Sequence, residues 1–350
     1  MKSTEGRAQS ALWLLAMTGF LLAPNLSHAQ ETAQTPATVP PKSAPEPKKE
    51  SGTLSLTVEN DLFNNFDRHY TNGVQLSWLS SPDQVPSWIQ GGSKFLFPDQ
   101  SAARIEYALG QNMYTPKDIT RIVPDADDRP YAGWLYGSVG IIAETGRQLD
   151  QLQLSLGVVG PAALAGETQK AVHKVTGSNH PQGWGSQLNN EPAIQLTYQR
   201  SLRAFATGDI WGMSIDATPH FGGALGNVFT YANGGGTLRF GYNLPDDYGP
   251  PRIQPSLPGA GYFETVDDFG WYLFAGFDGR AIARNMFLDG NTWTDSPSVD
   301  KKHFVLDAQA GIAVVWRDTR IAYTYIYRTR EFDGQENPDQ FGALSVSFRF

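Results

Sequence analysis

From residue 53 onward, side chains in this chain switch repeatedly between apolar and polar at every second position, and no apolar run there is long enough to cross a membrane as a helix. In Thr53-Leu54-Ser55-Leu56-Thr57-Val58-Glu59 the leucines and valine share one face, and Thr, Ser and Glu share the other. The segment Thr71 to Trp78 repeats the pattern, as does Gln151 to Leu156. At the carboxyl end Leu344, Val346, Phe348 and Phe350 again fall on one side. Candidate strands lie at roughly 53–59, 71–79, 103–112, 132–143, 149–158, 191–200, 209–219, 227–242, 269–286, 303–317, 319–330 and 341–350. Each is long enough for a tilted membrane span. The expected fold class is all-β: a transmembrane antiparallel β-barrel of about twelve strands, with a short helix in one external loop.

The N-terminus gives this barrel a destination. Lys2 and Arg7 precede an apolar stretch from Ala11 to Leu22, and Ser27-His28-Ala29 supplies small residues at alternate positions. That is the pattern of a cleaved secretory signal over residues 1–29. Residues 30–51, rich in Pro, Ala and Lys, have too little to bury and read as a disordered linker; the barrel is expected over residues 52–350. The absence of cysteine excludes a disulfide scaffold and thiolate chemistry. A net charge of −8 argues against a nucleic-acid surface, which would need a basic stripe. A final aromatic strand is similar to the one that outer-membrane barrels present to the barrel assembly machinery. A monomer is the expected state.

With the first strand rising from the periplasm, connections after odd-numbered strands open to the cell exterior. Three unusual segments fall there: Glu59-Asn60-Asp61 through Gly73, Gly110 through Trp134, and Gly157 to Glu191. The third is longer than structural connections usually run, which marks it as a functional candidate. Within it, residues 166–175 read as a short helix that places Gln169 and His173 one turn apart on one face. An imidazole ordinarily titrates near neutrality, which suits a general base, although a solitary histidine is more often an exposed loop residue. At the end of the first strand, alternation turns Asp61 inward and Asn60 toward the lipid side. A carboxylate beside amide and carbonyl oxygens can hold calcium, or can simply begin a polar loop. Asp128-Arg129-Pro130-Tyr131 reads as structural, with an arginine–carboxylate pair and a proline fixing the return into the fourth strand.

Taken together, ENDLFNNFDRHYTNG, GQNMYTP, DRPYAGW and LGVVGPAALAGETQKAVHKVTGSNHPQGWGSQLNNEP resemble the LpxR family of lipid A 3′-O-deacylases of Gram-negative outer membranes. The similarity runs from about residue 52 to the C-terminus. It implies a twelve-stranded barrel that removes the 3′-linked acyloxyacyl group from lipid A of lipopolysaccharide in the outer leaflet, by calcium-dependent (Ca2+) ester hydrolysis. It further implies that His173 activates water, that Asn60, Asp61, Thr71 and Gln169 are active-site positions, and that the metal lies near Asp61. Two positions depart from the family pattern. Asn179 stands where a family member carries Glu, and Arg121 aligns with a Lys; Arg121 and nearby Lys117 are the candidates for oxyanion or substrate contact.

Two other functions fit a barrel of this size. An outer-membrane phospholipase would need a serine nucleophile, and Ser77 on the inward face of the second strand is the candidate, with no activating partner evident from spacing. A porin or structural barrel would use the polar inward face as a pore lining, but leaves the long histidine-bearing loop without a role.

Overall fold

The computed structural model describes residues 52–60, 69–100, 102–249, 262–266 and 268–350, and for residues 69–71 and 176 the backbone alone. The predicted signal and linker, and Asp61, lie outside the described residues. The strands are β1 (Thr53–Asn60), β2 (His69–Leu79), β3 (Ala102–Thr115), β4 (Ala132–Glu144), β5 (Gln148–Val159), β6 (Glu191–Leu202), β7 (Ala206–Ile210), β8 (Met213–Gly226), β9 (Phe229–Tyr242), β10 (Phe269–Asn285), β11 (Phe304–Trp316), β12 (Thr319–Arg328) and β13 (Asp339–Arg349). Helices α1 (Ser87–Leu96), α2 (Ala165–Thr176) and α3 (Met286–Asp289) lie in the connections. Pairing is antiparallel throughout; β1 pairs with β2 and with β13, and β6 pairs with β8, so twelve strands close on themselves. The short β7 pairs with the start of β8 and prolongs that hairpin past the ring.

Alternation decides which face meets which surroundings. In β1, Thr53, Ser55, Thr57 and Glu59 are buried, whereas Leu54 and Leu56 are 43% and 45% exposed. The inverted arrangement, polar within and apolar without, is the one a lipid solvent selects, because a closed ring satisfies every strand's backbone groups and offers lipid only apolar side chains. No described helix is long and apolar enough to cross a membrane. Exposed aromatics at one rim, Tyr242, Phe269, Trp316 and Phe350, form part of an interfacial girdle. The tight links at 145–147 and 317–318 lie at that rim.

Side chains and two infolded connections fill the lumen. At the rim away from the tight links, α3 buries Met286 and Phe287, and Phe287 stacks on Tyr114 at 4.0 Å beside Trp134. Farther down, Asp307 accepts hydrogen bonds from Arg280 and Arg328, 2.8 Å each. At the girdle rim, within the segment from 243 to 268 for which the sequence offered no role, residues 243–249 and 262–266 fold inward. Asp247, fully buried, accepts from Arg239 and from Arg320 (2.7 Å), and Phe263 lies 4.8 Å from the Arg320 guanidinium. Buried charges persist only when paired, so residues 243–249 are tied to the wall by Asp247.

Two strand boundaries differ from expectation. The seventh and eighth strands were expected at 209–219 and 227–242, but the chain turns at Trp211-Gly212, and β8 runs on to Gly226. At Gly222 or Gly226 a Cβ would stand 2.2 or 2.3 Å from a carbonyl oxygen of β6. Close approach of the closing strand requires them. Helix α1, between β2 and β3, was not anticipated.

Arg129 is fully buried and finds its carboxylate partner in Glu331, 3.2 Å away on the β12–β13 connection, with the Tyr114 ring 4.9 Å from the guanidinium. Its structural reading therefore holds. Burial pushes the Glu331 carboxyl up, but Arg328, Arg129 and Arg280 outweigh burial and hold it below the usual glutamate range. A carboxyl lowered by folding adds stability above its unfolded pKa, and that stability is lost as pH falls through the folded value. Heat-modifiable gel mobility across pH should therefore show the wild-type barrel losing stability as pH falls below the unfolded glutamate value of about 4.3, with a shallower loss in Glu331→Gln. Parallel profiles would contradict the assignment.

Candidate active site

Helix α2 sits on the outer wall of the barrel. The outward-facing residues of adjacent strands form a row, Asn60 opposite Asn72, Asn72 opposite Met113, and Met113 opposite Gly133. Ala165, the first residue of α2, lies against the end of that row: a Cβ at Gly133 would stand 2.4 Å from the Ala165 Cβ. Met113, though outward, is buried together with Ile119, Tyr131, Ala165 and Trp184. Gln111 on the same face donates to the Ala163 carbonyl at 2.7 Å. The long loop thus folds back over β3 and β4 from outside, and the helix lies where the wall would otherwise meet lipid.

Gln169 and His173 share the buried face of α2, at 2% and 3% exposure, as helical spacing predicts. The Trp184 indole donates to Gln169 Oε1 at 2.7 Å. Because an indole can only donate, this bond fixes the amide orientation and leaves Gln169 Nε2 buried with no hydrogen-bond partner among the described residues. Gly177, at φ 74°, ends the helix, and the amides of Gly177 and Ser178 both donate to the His173 carbonyl. This left-handed turn brings the Asn179 carbonyl back to His173, where it accepts from Nδ1. Nδ1 therefore carries a proton, so in the neutral imidazole the lone pair available to a base is on Nε2. The orienting group is the backbone of residue 179, so the replacement of Glu by Asn there leaves this contact intact.

The other predicted positions are placed less completely. Asn60 is half-buried on the outward row, as alternation predicted, two strand spacings or roughly 10 Å from Met113. Thr71 is the extra residue of a β-bulge, since Tyr70 pairs with Tyr114 and Asn72 with Met113. Asp61 lies outside the described residues. Lys117 pairs with Glu336 at 2.6 Å and Arg121 with Asp125, both pairs exposed, and no contact joins either cation to His173. No group of three or more His, Asp or Glu gathers among the described residues. Ser77 is buried on the lumen side near Glu106, away from lipid, which removes the basis for a serine-based phospholipase.

Sequence reasoning missed Trp184 and the groove below the helix. That groove, about 530 Å³, runs down the outer wall between Leu76, Leu109, Val139, Leu154 and Leu156, with Gly137 in its floor. Trp184 was hidden because only folding of the loop shows that it faces Gln169.

Comparison with known proteins agrees with this architecture. A solved structure described as LpxR from Salmonella typhimurium superposes with a TM-score of 0.70 at 20% identity, covering 85% of this chain and all of that one. The β domain of the Bordetella autotransporter BrkA matches at 0.40 and 10% identity, covering 87% of this chain and all of that one, too remote to bear on the argument. No curated protein sequence matches. A family sequence model described as outer membrane protein LpxR matches residues 13–350, nearly the whole chain. This twelve-stranded barrel, with its loop helix folded over the outer wall, belongs to the LpxR family of outer membrane proteins.

Proposed function

We propose that the chain hydrolyses the 3′-linked acyloxyacyl ester of lipid A in the outer leaflet, with His173 as the base that activates water. The observation that carries this reading is the position of His173: an imidazole with a fixed tautomer, on a helix packed against the outer face of β3 and β4, the strands that carry an apolar groove farther down the same wall. A lipid's ester can reach that place without leaving the membrane interface, while its acyl chain lies in the groove. A soluble substrate has no need of such a location. The reading also assigns the α2 rim to the cell exterior and the aromatic rim to the periplasm.

Water loses a proton to His173 Nε2 as its oxygen attacks the ester carbonyl carbon. The negative charge that develops on the carbonyl oxygen is met by the unpartnered N–H of Gln169. Collapse of the tetrahedral adduct breaks the bond to the sugar oxygen, which takes the proton from His173 and leaves as the 3′-hydroxyl, with the fatty acid as the second product. Trp184 holds Gln169 in the orientation this requires. Lys117 and Arg121 sit in exposed ion pairs, which are worth little and exchange readily, so they are the proposed contacts for lipid A phosphate.

Calcium belongs to the proposal through Asp61, with Asn60 beside it; when bound, the ion would polarise the ester carbonyl. A chelator should then abolish hydrolysis, and calcium should restore it where magnesium does not, since magnesium demands a tighter octahedral shell. Undiminished activity in excess chelator would remove calcium from the mechanism.

Purified folded barrel incubated with lipid A in detergent tests the activity. Mass spectrometry should find a free acyloxyacyl fatty acid and a lipid A lighter by that one substituent. Intact lipid A, or fatty acid released only from glycerophospholipids, would overturn the assignment.

A further inference from the structure

A second groove, of about 670 Å³, lies on the outer wall across β9, β10 and β11, which carry neither the catalytic loop nor α2. Cross-strand register explains how it forms. Ala232 pairs with Ala281, which pairs with Phe304, and the next outward row runs Gly234, Gly279, Leu306. Two successive rows thus have a small residue on β9 and on β10 and a large one on β11. Phe304 and Leu306, 79% and 43% exposed, form one bank, and Phe221 of β8, opposite Gly234 and 51% exposed, forms the other.

Nothing inside the protein requires glycine at these two floor positions. A Cβ on Gly279 would meet no atom nearer than 3.7 Å, and one on Gly234 none nearer than 3.8 Å, and neither has a positive φ. In contrast, the neighbouring Gly235, which faces the lumen side, would bring a Cβ to 2.0 Å from the Phe277 carbonyl oxygen. A wall facing lipid normally carries large apolar side chains, as the outward rows of β1 and β13 do here. The hollow is therefore a feature of the surface and answers to what lies outside it.

At its upper end, on the same rim as α2, the groove meets Lys302, Thr329 and Arg330. Lys302 is paired with Asp333, an exposed pair, whereas no ion pair to Arg330 is found among the described residues. An apolar channel leading to two cations and a hydroxyl matches an acyl chain that ends in a phosphorylated headgroup, because phosphate oxygens take charge-assisted hydrogen bonds from guanidinium and ammonium groups. We propose that this groove binds a second molecule of lipid A, non-catalytically, with an acyl chain over Gly234 and Gly279 and a phosphate at Arg330 and Lys302. The choice of this lipid rests on the outward orientation assigned above; the groove itself does not depend on hydrolysis.

Native mass spectrometry of the full chain in detergent tests this, using His173→Ala to prevent turnover. The probes are bisphosphorylated lipid A, dephosphorylated lipid A and phosphatidylglycerol. Arg330→Gln, an exposed substitution, and Gly279→Leu, which fills the floor, should each carry one lipid A fewer than the parent. Occupancy of that one site should fall about tenfold, in keeping with loss of one charge-assisted contact. Dephosphorylated lipid A should bind the parent as weakly as lipid A binds Arg330→Gln. Gel mobility confirms that each variant is folded, and Arg330→Gln decides the matter if Gly279→Leu is not. Unchanged stoichiometry in Arg330→Gln overturns the site. Equal retention of phosphatidylglycerol overturns the choice of lipid A. A chain that binds lipid A here yet never deacylates it would refute the proposed activity and leave this site standing.

Discussion

His173→Ala is expected to lower lipid A deacylation by a factor of roughly 10²–10⁴, the usual contribution of a positioned general base. That corresponds to about 3–5 kcal/mol in the barrier. The barrel should fold normally, because the end of α2 is held by backbone amides of Gly177 and Ser178 donating to the carbonyl of residue 173, bonds the substitution does not touch. His173→Asn separates two roles. Its amide can still donate to the Asn179 carbonyl, so loop order is preserved, but it cannot take a proton. It should be as inactive as the alanine variant. Activity retained in the asparagine variant would assign the imidazole to positioning and place the base elsewhere.

The largest effect on stability is expected at the opposite rim. Asp247→Ala removes the carboxylate that faces both Arg239 and Arg320, each buried on the lumen wall. Breaking a buried pair costs about 3–5 kcal/mol because the remaining charge stays desolvated, and here two guanidinium groups lose a partner. Arg239 keeps Asp216 at 2.5 Å, and the contacts Arg320 keeps include the Gly249 carbonyl at 3.4 Å. Denaturant unfolding of the purified barrel should show the loss, with Arg320→Met in the same background recovering part of it. An Asp247→Ala barrel as stable as wild type would mean that residues 243–249 are not anchored through this residue.

Much of the architecture could be read from local pattern. The alternation in β1 and in β13 predicted both the strands and their inward faces, because a period of two fixes every side chain once one is placed. The α2 face that carries Gln169 and His173 was legible for the same reason at helical period. What could not be read depends on pairs far apart in the chain. Arg129 and Glu331 are 202 residues apart, and nothing in either neighbourhood names the other. That α2 lies outside the wall rather than in the mouth depends on Gly133 meeting Ala165, a contact only the closed ring creates. The extent of β8 was hidden because its glycines serve close approach to β6, a strand pairing that local pattern does not show. The infolding of residues 243–249 was hidden because nothing near Asp247 in the chain names Arg239 or Arg320, the partners that set its place.

The central claim is that a membrane barrel places a histidine base over its lipid-facing wall to cut an ester of lipid A. The most direct test is the mass spectrum of lipid A extracted from intact cells that make the folded wild-type chain, beside cells that make His173→Ala. The account predicts lipid A lacking the 3′-acyloxyacyl substituent in the first and fully acylated lipid A in the second. Identical, fully acylated lipid A from both, with folded barrel present in each outer membrane, would contradict it.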